Sequence, residues 1–493
     1  MRSLSPLIVQ TDTAPRRSTE AAFVSLLAAT LAIVIFHALT NADSQFVSAH
    51  AFVSADVATT ARTFATEGVF HLHAVPVNNN PPISRDDAYT HWPPLLPILL
   101  SVCFRMFGVS ERVAHLLMLG ILIITAMLLF RLGQLWLGTI GGALSAYFWL
   151  TLPVVVQFGD LVAQQSLMTM FLVAAVLAFF QRRDKTGGAL LFLGTLSSWE
   201  IALVAPGLLI AFHWVRELRR PAVAAAIGAG TGIICVAGLF LSNSPELALD
   251  TFRAASFYMG LSPVYSHAMN LQQIPISSGE QFHRMILNNV WMLGPLGLAA
   301  IAQIFAVRQK SSALIVSSLC APWLIWSIAM RNHMARHHFE FLIAAPLVAL
   351  ALAWVATSDL RNIPSSRATL KTAALVVAAA FQILLLPKPR IADGYSPQGL
   401  VNYARAIRAS TEPGAIIMAP LVSAVPLYYS ERHIVRGVDS AASIASDLPI
   451  IRREFPGQPV YLAIPPLLEK NFAPVISAGH IVSSTPDAVI LQF

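Results

Sequence analysis

"DDAYTHWPPLLPILL", residues 86–100, runs two acids, a tyrosine, a histidine and a tryptophan directly into prolines and an apolar stretch. The segment 93–107, "PPLLPILLSVCFRMF", looks like a membrane span but carries Pro93, Pro94 and Pro97 at its start and Arg105 inside it. At about 15 residues it is shorter than the ~20 needed to cross ~30 Å of hydrocarbon. An interfacial or re-entrant helix is expected instead, with Pro93 and Pro94 pre-set for its first turn. The polar residues before it would then line a cavity at membrane level, where irregular backbone is tolerated.

The rest of the chain makes that membrane setting necessary. Of 493 residues, 56% are hydrophobic and 12% charged, about half the charged share of a soluble domain. Apolar runs of ~20 residues recur along most of the length. The chain reads as an α-helical polytopic membrane protein. Residues 20–40, "EAAFVSLLAATLAIVIFHALT", are too long for a signal-peptide core and lack a small-residue cleavage site, so a retained first span is expected. Cys103, Cys235 and Cys320 all fall in apolar runs and suggest neither a disulfide framework nor a metal cluster. The net charge of +7 gathers in short loops, as expected of cytoplasmic loops, and argues against a nucleic-acid partner.

Those loops set the topology. Arg16 and Arg17 mark residues 1–19 as a cytoplasmic N-terminus, and 181–188, 216–221, 308–312 and 361–371 read as cytoplasmic. The first outer loop is 41–111, with a helical patch near 54–67 and the interfacial helix 93–107. Spans are expected near 112–130, 137–157 and 161–180. Two short helices in 187–215 should meet at an outer turn holding Trp199 and Glu200. Further spans near 222–241, 287–306, 313–330, 340–357 and 372–388 bring the count to about eleven. A membrane domain over 20–389 follows, with a second outer loop at 242–286. The tail 390–493 changes character. "GAIIMA", "HIVRGV" and "PVYLAI" resemble short strands and "SPQGLVNYARAIRAS" a helix, so a small extracytoplasmic α/β domain is expected. No internal repeat of the kind common in transporters is visible.

The unusual polar groups fall on one side of this topology: Asp56, Asp86, Asp87, His91, Asp160, Glu200 and "RNHMARHHFEF" at 331–341. Outer loops gain no topological advantage from basic residues, so Arg331, Arg336, His337 and His338 stand out. Cations at the outer interface suit a lipid phosphate, and a nearby carboxylate can act as general base for an acceptor hydroxyl. Each group also has a plainer reading. Asp86 and Asp87 suit turn or N-terminal capping, and Asp160 suits the cap of a span beginning at Leu161. His91 and Trp92 suit interfacial anchoring, and the 331–338 cations suit span-end snorkelling. A divalent metal is compatible with these His and acid groups, but no spacing forms a dedicated metal motif, and the sequence requires no cofactor.

The order of an outer-loop acid, "PPL" entering an apolar run, "FGVSERVAHLL" and "LPVVVQFGDLVAQQSLMTMF" resembles the polyprenyl-phosphate-sugar glycosyltransferases of the GT-C superfamily. These include protein O-mannosyltransferases and aminoarabinose lipid A transferases. The resemblance covers 20–215 at motif level and the remainder by architecture. It implies Asp56 as catalytic base and Asp160 as a second acid. Val57 stands where the family usually has Glu, and His91 and Trp92 stand where it often has Glu-Lys. Donor-phosphate binding is therefore assigned to Arg331, Arg336, His337 and His338, with Asp86, Asp87, His91 and Glu200 as further catalytic or substrate-binding candidates. The implied function is sugar transfer from a polyprenyl-phosphate donor to a lipid, glycan or protein acceptor, at the outer face of a bacterial inner membrane. The alternatives are a transporter or flippase of a lipid-linked sugar, which calls for charges within mid-membrane spans, and a non-catalytic scaffold.

Overall fold

The computed structural model describes residues 17–48, 50–84, 87–243, 245–262, 277–305, 310–362, 366–385, 397–421 and 423–493. The protein is a mostly helical integral membrane protein. Helix α1 (Arg17–Thr40) is followed by α2 (Ala51–Thr63), a π turn Phe64–Gly68, and α3 (Leu95–Phe107). At 13 residues, α3 is about 20 Å long, short of the ~30 Å of hydrocarbon. Its Arg105 donates to the carbonyls of Phe64 and Ala65, both at 3.0 Å, which fastens α3 to the end of α2. This is the short apolar helix that the prolines and length of the run imply.

Helix α4 (Glu111–Thr151) is continuous by hydrogen bonding, but Gly138 interrupts it at φ 84°, ψ 178°. The chain reverses there. A Cβ on Gly142 would lie 2.6 Å from the Phe130 carbonyl oxygen, whereas twelve residues of straight helix would separate the two by about 18 Å. The two arms form a hairpin whose glycines allow backbone contact. Short α5 (Pro153–Phe158) and α6 (Gln164–Phe180) come next. Residues 187–215 fold as read: α7 (Asp184–Thr195), a 3₁₀ turn Trp199–Leu203 carrying Glu200, and α8 (Val204–Phe212). Helices α9 (Arg219–Asn243) and α10 (Pro245–Tyr258) follow.

The span expected at 287–306 is instead broken. Helices α11 (Ser278–Leu293) and α12 (Pro295–Phe305) meet at 92°. Gly294 adopts φ 74°, and Pro295 cannot donate to the preceding turn. Then come α13 (Lys310–Ala329), α14 (Arg331–Arg336), a 3₁₀ turn His338–Ile343, α15 (Ala345–Asn362) and α16 (Ser366–Phe381). Among the described residues, four helices are long and apolar enough to cross a membrane, or five if the bent pair is one span; five more are shorter apolar helices.

The C-terminal residues build a five-stranded sheet of order β2-β1-β3-β5-β4. The strands are β1 (Ile416–Ala419), β2 (His433–Arg436), β3 (Val460–Ile464), β4 (His480–Ser484) and β5 (Val489–Gln492). Strand β1 pairs in parallel with both β2 and β3, while β5 runs antiparallel to β3 and β4. Helices α17 (Pro397–Ser410), α18 (Val425–Ser430), α19 (Ala441–Glu454) and α20 (Ala473–Ala478) flank it. Side chains alternate between faces along each strand, and the burial follows that rule. Ile416, Met418, Val460, Leu462 and Leu491 fill one core, shared with α19. Ile417, Ala419, Ile434, Tyr461, Ala463 and Ile490 fill the other, shared with Ala55, Val57, Ala58 and Ala61 of α2 and with α3. The sheet therefore rests one face on α2 and α3.

Candidate active site

Helix α2, "AFVSADVATTART", is rich in small residues, so its neighbours approach closely on nearly every side. Asp56 sits midway along it and is half-buried. Asn78 Nδ2 donates to Asp56 Oδ1 at 2.5 Å. Burial pushes the Asp56 carboxyl up to about 6, against the opposing pull of the Arg436 guanidinium, the Asn78 bond and His91. It is thus a carboxylate at neutral pH with a proton affinity well above that of a solvated aspartate, which suits a general base.

The loop that supplies Asn78 is held from two sides. Val77 bridges Ala88, and Asn78 N–H donates to the Asp87 carbonyl at 2.9 Å. The Asn79 amide pairs with Ile434 as a neighbouring strand would: its Oδ1 accepts from the Ile434 N–H at 3.0 Å and its Nδ2 donates to the Ile434 carbonyl at 3.1 Å. Asn80 donates to the carbonyls of Leu427 and Arg432. Arg62, one helical face further along α2, donates to Asn80 and to the carbonyls of Tyr428 and Leu427.

The opening stretch divides in this setting. Asp87 accepts from Asn79 Nδ2 and the Ser84 N–H, both at 2.7 Å, and lies 3.7 Å from His433. It closes a turn and braces the Asn78 loop. Asp86 lies outside the described residues. His91 is buried, packs at a tilt against Tyr89 with ring centroids 4.7 Å apart, and its carbonyl accepts from Trp199 Nε1 at 2.9 Å. Leu95 N–H donates to the Leu196 carbonyl, so the start of α3 is moored to the 196–200 turn.

Behind His91 and Trp92 lies a cavity of about 60 Å³, walled by Trp199, Tyr258, Trp326 and His333 among others. Two of its wall residues, Trp326 and His333, reach beyond the cavity into a buried polar network. Gln165 Nε2 donates to Glu200 at 3.2 Å and to Glu340 at 2.7 Å. Glu340 also accepts from Trp326 Nε1 at 3.2 Å and pairs with His333 Nε2 at 2.8 Å, while Ser198 bonds Glu200. Sequence reading singled out Glu200 and missed Glu340, Gln165 and His333.

Asp160 does not join these groups. It is exposed on the link between α5 and α6, and α6 starts at Gln164 with Ala163 as its cap residue, so Asp160 is not that helix's cap. The link itself touches α2, because Val162 N–H donates to Ser54 Oγ at 3.1 Å.

The basic cluster meets the start of the same helix. His50, the residue before α2, lies 3.3 Å from His338 Nδ1 and packs on His337 at 5.6 Å. Asp56 is six residues further on, about 9 Å along the helix axis. Arg336 Nε donates to Asn332 at 3.0 Å and its guanidinium lies over Phe257 at 5.6 Å. Arg331 approaches Gly260 between α10 and α11. Burial, reinforced by neighbouring histidines, pulls His50 down to about 3 and His337 well below its usual range. His50 and His337 are neutral at pH 7, so Arg331 and Arg336 carry charge in the cluster that His337 does not. Reading His337 as a cation is corrected on that ground. Among the described residues, no three His, Cys, Asp or Glu side chains converge on a metal site.

Residues 91–244 match the family model for dolichyl-phosphate-mannose-protein mannosyltransferase, and no curated protein matches the sequence. Solved structures match along nearly the whole chain. Apo ArnT from Cupriavidus metallidurans aligns with TM-score 0.63 at 12% identity, covering 96% of this chain and 98% of that one. The same protein bound to undecaprenyl phosphate aligns with TM-score 0.61 at 13% identity, covering 97% and 98%. The oligosaccharyltransferase AglB from Archaeoglobus fulgidus, in complex with an inhibitory peptide and a dolichol-phosphate, aligns with TM-score 0.58 at 12% identity, covering 92% and 70%. The fold is the one these enzymes share.

Proposed function

We propose that this chain is a GT-C-type glycosyltransferase that moves a sugar from a polyprenyl-phosphate donor to an acceptor hydroxyl on the extracytoplasmic side of the membrane. One observation carries the chemistry: a half-buried carboxylate, Asp56, held by Asn78 on the same short helix whose start meets the Arg331–His338 cluster. The mannosyltransferase family match over 91–244 and the structural neighbours with bound undecaprenyl phosphate or dolichol-phosphate support this reading.

In the proposed reaction, Asp56 takes the proton of the acceptor hydroxyl as that oxygen attacks the anomeric carbon. The bond from that carbon to the phosphate oxygen breaks, and polyprenyl phosphate leaves with the bonding electrons. Arg331 and Arg336 hold the phosphate by charge-assisted bonds as its charge grows. Neutral His337 adds a hydrogen-bond donor beside His338. Asp87 acts as a brace and Asp160 as a carboxylate on the outer rim. The acceptor is a lipid, glycan or protein.

The eleven-pass topology belongs to the same proposal. It comprises α1, the two arms of α4, α6, α7, α8, α9, the α11–α12 pair, α13, α15 and α16, with the N-terminus inside, the sheet outside, and a bacterial inner membrane as the setting. A lipid-linked-sugar transporter is the alternative, and the buried Glu200–Gln165–Glu340 network is the feature it would use. Incubating purified protein with labelled polyprenyl-phosphate sugars separates the two. A transferase releases polyprenyl phosphate; a transporter leaves the donor intact.

A further inference from the structure

The sheet's inner face carries one charged residue toward the carboxylate that the mechanism uses. On β2, Ile434 lies in the core shared with α2, and Val435 packs on the opposite face. Residues i and i+2 share a face, so Arg436 points the same way as Ile434, toward α2. The register is fixed locally. Asn79 grips the Ile434 backbone through two hydrogen bonds, and the next residue back, Asn78, holds Asp56. Strand β2 and the carboxylate are thus two adjacent asparagines apart.

We infer that Arg436 is a positioning residue for Asp56, supplied by the C-terminal sheet to complete the catalytic centre. The inference rests on reading Asp56 as the base. Its guanidinium keeps that carboxylate ionised and oriented beside the acceptor hydroxyl. The sheet is then part of the active site, and removing the Arg436 charge while the sheet stays in place would raise the proton affinity of Asp56.

Few other charges compete for this role. Among the described elements packed on α2, α18 carries no ionisable group besides Tyr428 and Tyr429, and Arg105 of α3 is bonded to the carbonyls of Phe64 and Ala65. Arg62 is committed to Asn80, Tyr428 and Leu427 and pairs with Glu431. Asp87 is paired with Asn79 and faces His433. His91 is the other group that acts on Asp56, and its effect ranks below those of Arg436 and Asn78.

The test reads the Asp56 proton directly. Dicyclohexylcarbodiimide modifies protonated carboxyl groups in apolar surroundings, and mass spectrometry of the Asp56 peptide measures the modified fraction against pH. In the wild-type full-length protein, modification should fall away as pH rises through about 6. In Arg436→Gln the midpoint should rise by roughly one pH unit or more, because an opposite charge at close range lowers a carboxyl by that much. Arg436→Lys keeps the charge and should stay nearer the wild type; it also serves if Gln disturbs the sheet. An unmoved midpoint in folded Arg436→Gln, or equal shifts in Gln and Lys, overturns the inference. Turnover is measured in parallel. A midpoint shift with Asp56→Asn still active would retain the Arg436–Asp56 coupling while removing Asp56 as base.

Discussion

Replacing Asp56 by asparagine tests the mechanism most directly. The substitution keeps shape and lets Asn78 Nδ2 still donate to the remaining oxygen, but it removes the proton acceptor. A general base contributes roughly 10²–10⁴ in rate, so turnover should fall by that factor while donor binding stays near normal. Wild-type turnover should also show an acid limb near pH 6, losing about tenfold per pH unit below it as Asp56 protonates. The residual rate of Asp56→Asn should lack this limb. Stability should move the other way. The carboxyl is raised from 3.8 to about 6, so the folded chain holds the proton more tightly than the unfolded one. Its contribution is most favourable below pH 3.8 and is lost as pH rises through 6, leaving a cost of at most about 3 kcal/mol at neutral pH. Asparagine removes that cost, so the variant should melt higher than wild type at pH 7.5 and gain little at pH 4. The assay is release of labelled polyprenyl phosphate by purified protein, alongside thermal melts at the two pH values. An Asp56→Asn enzyme that keeps its turnover and acid limb, with Asp87→Asn inactive instead, would move the base to Asp87 and refute the assignment.

Arg336→Ala should weaken competition by polyprenyl phosphate about ten- to a hundredfold, since each charge-assisted bond is worth ~1.5–3 kcal/mol; Arg336→Lys should recover only part, lacking the planar fork, and full affinity in both variants would reduce the cluster to a span-end anchor. Cysteine placed at Val109, exposed in the α3–α4 turn, should react with an impermeant thiol reagent from outside, and reaction only from the cytoplasm would invert the topology. Asn79→Ala should destabilise the sheet's attachment by roughly 1–3 kcal/mol, because the buried Ile434 groups lose their partners; limited proteolysis should then cut the C-terminal residues earlier, and an unchanged digestion rate would count against the clamp.

Segment character was readable wherever local physics decides it. Prolines and length exposed α3 as a short helix, basic loops flanking Trp199–Glu200 exposed the α7–α8 turn, and β-branched runs exposed β1, β2 and β3. The break at Gly294–Pro295 carried a local signal too, a helix breaker inside an apolar run, but hydropathy alone reads through such a pair. The α4 reversal at Gly138 was anticipated as two separate spans.

The site was less legible because its parts are joined by contacts that span most of the chain. Asp56 stood out as an acid in an outer loop. Asn78 did not, because an asparagine run before prolines reads as an ordinary turn, and only the pairing of Val77 with Ala88 turns it onto Asp56. Glu340 hid inside "FEF", where its isolation in an apolar run was itself the clue: a buried carboxyl is costly unless partnered, and His333, Trp326 and Gln165 are those partners. Arg436 reads as an ordinary strand cation. Its placement follows only from strand parity plus the grip of Asn79 on Ile434, so a loop near the start of the chain and a strand near its end specify one carboxylate together. That division has a physical logic. A loop rich in proline and asparagine cannot bury enough apolar surface to hold a base in register by itself. The inner face of the sheet, with Ile417, Ile434 and Tyr461 against α2 and α3, provides the missing core, and the asparagine clamps convert that packing into the fixed orientation that proton transfer needs.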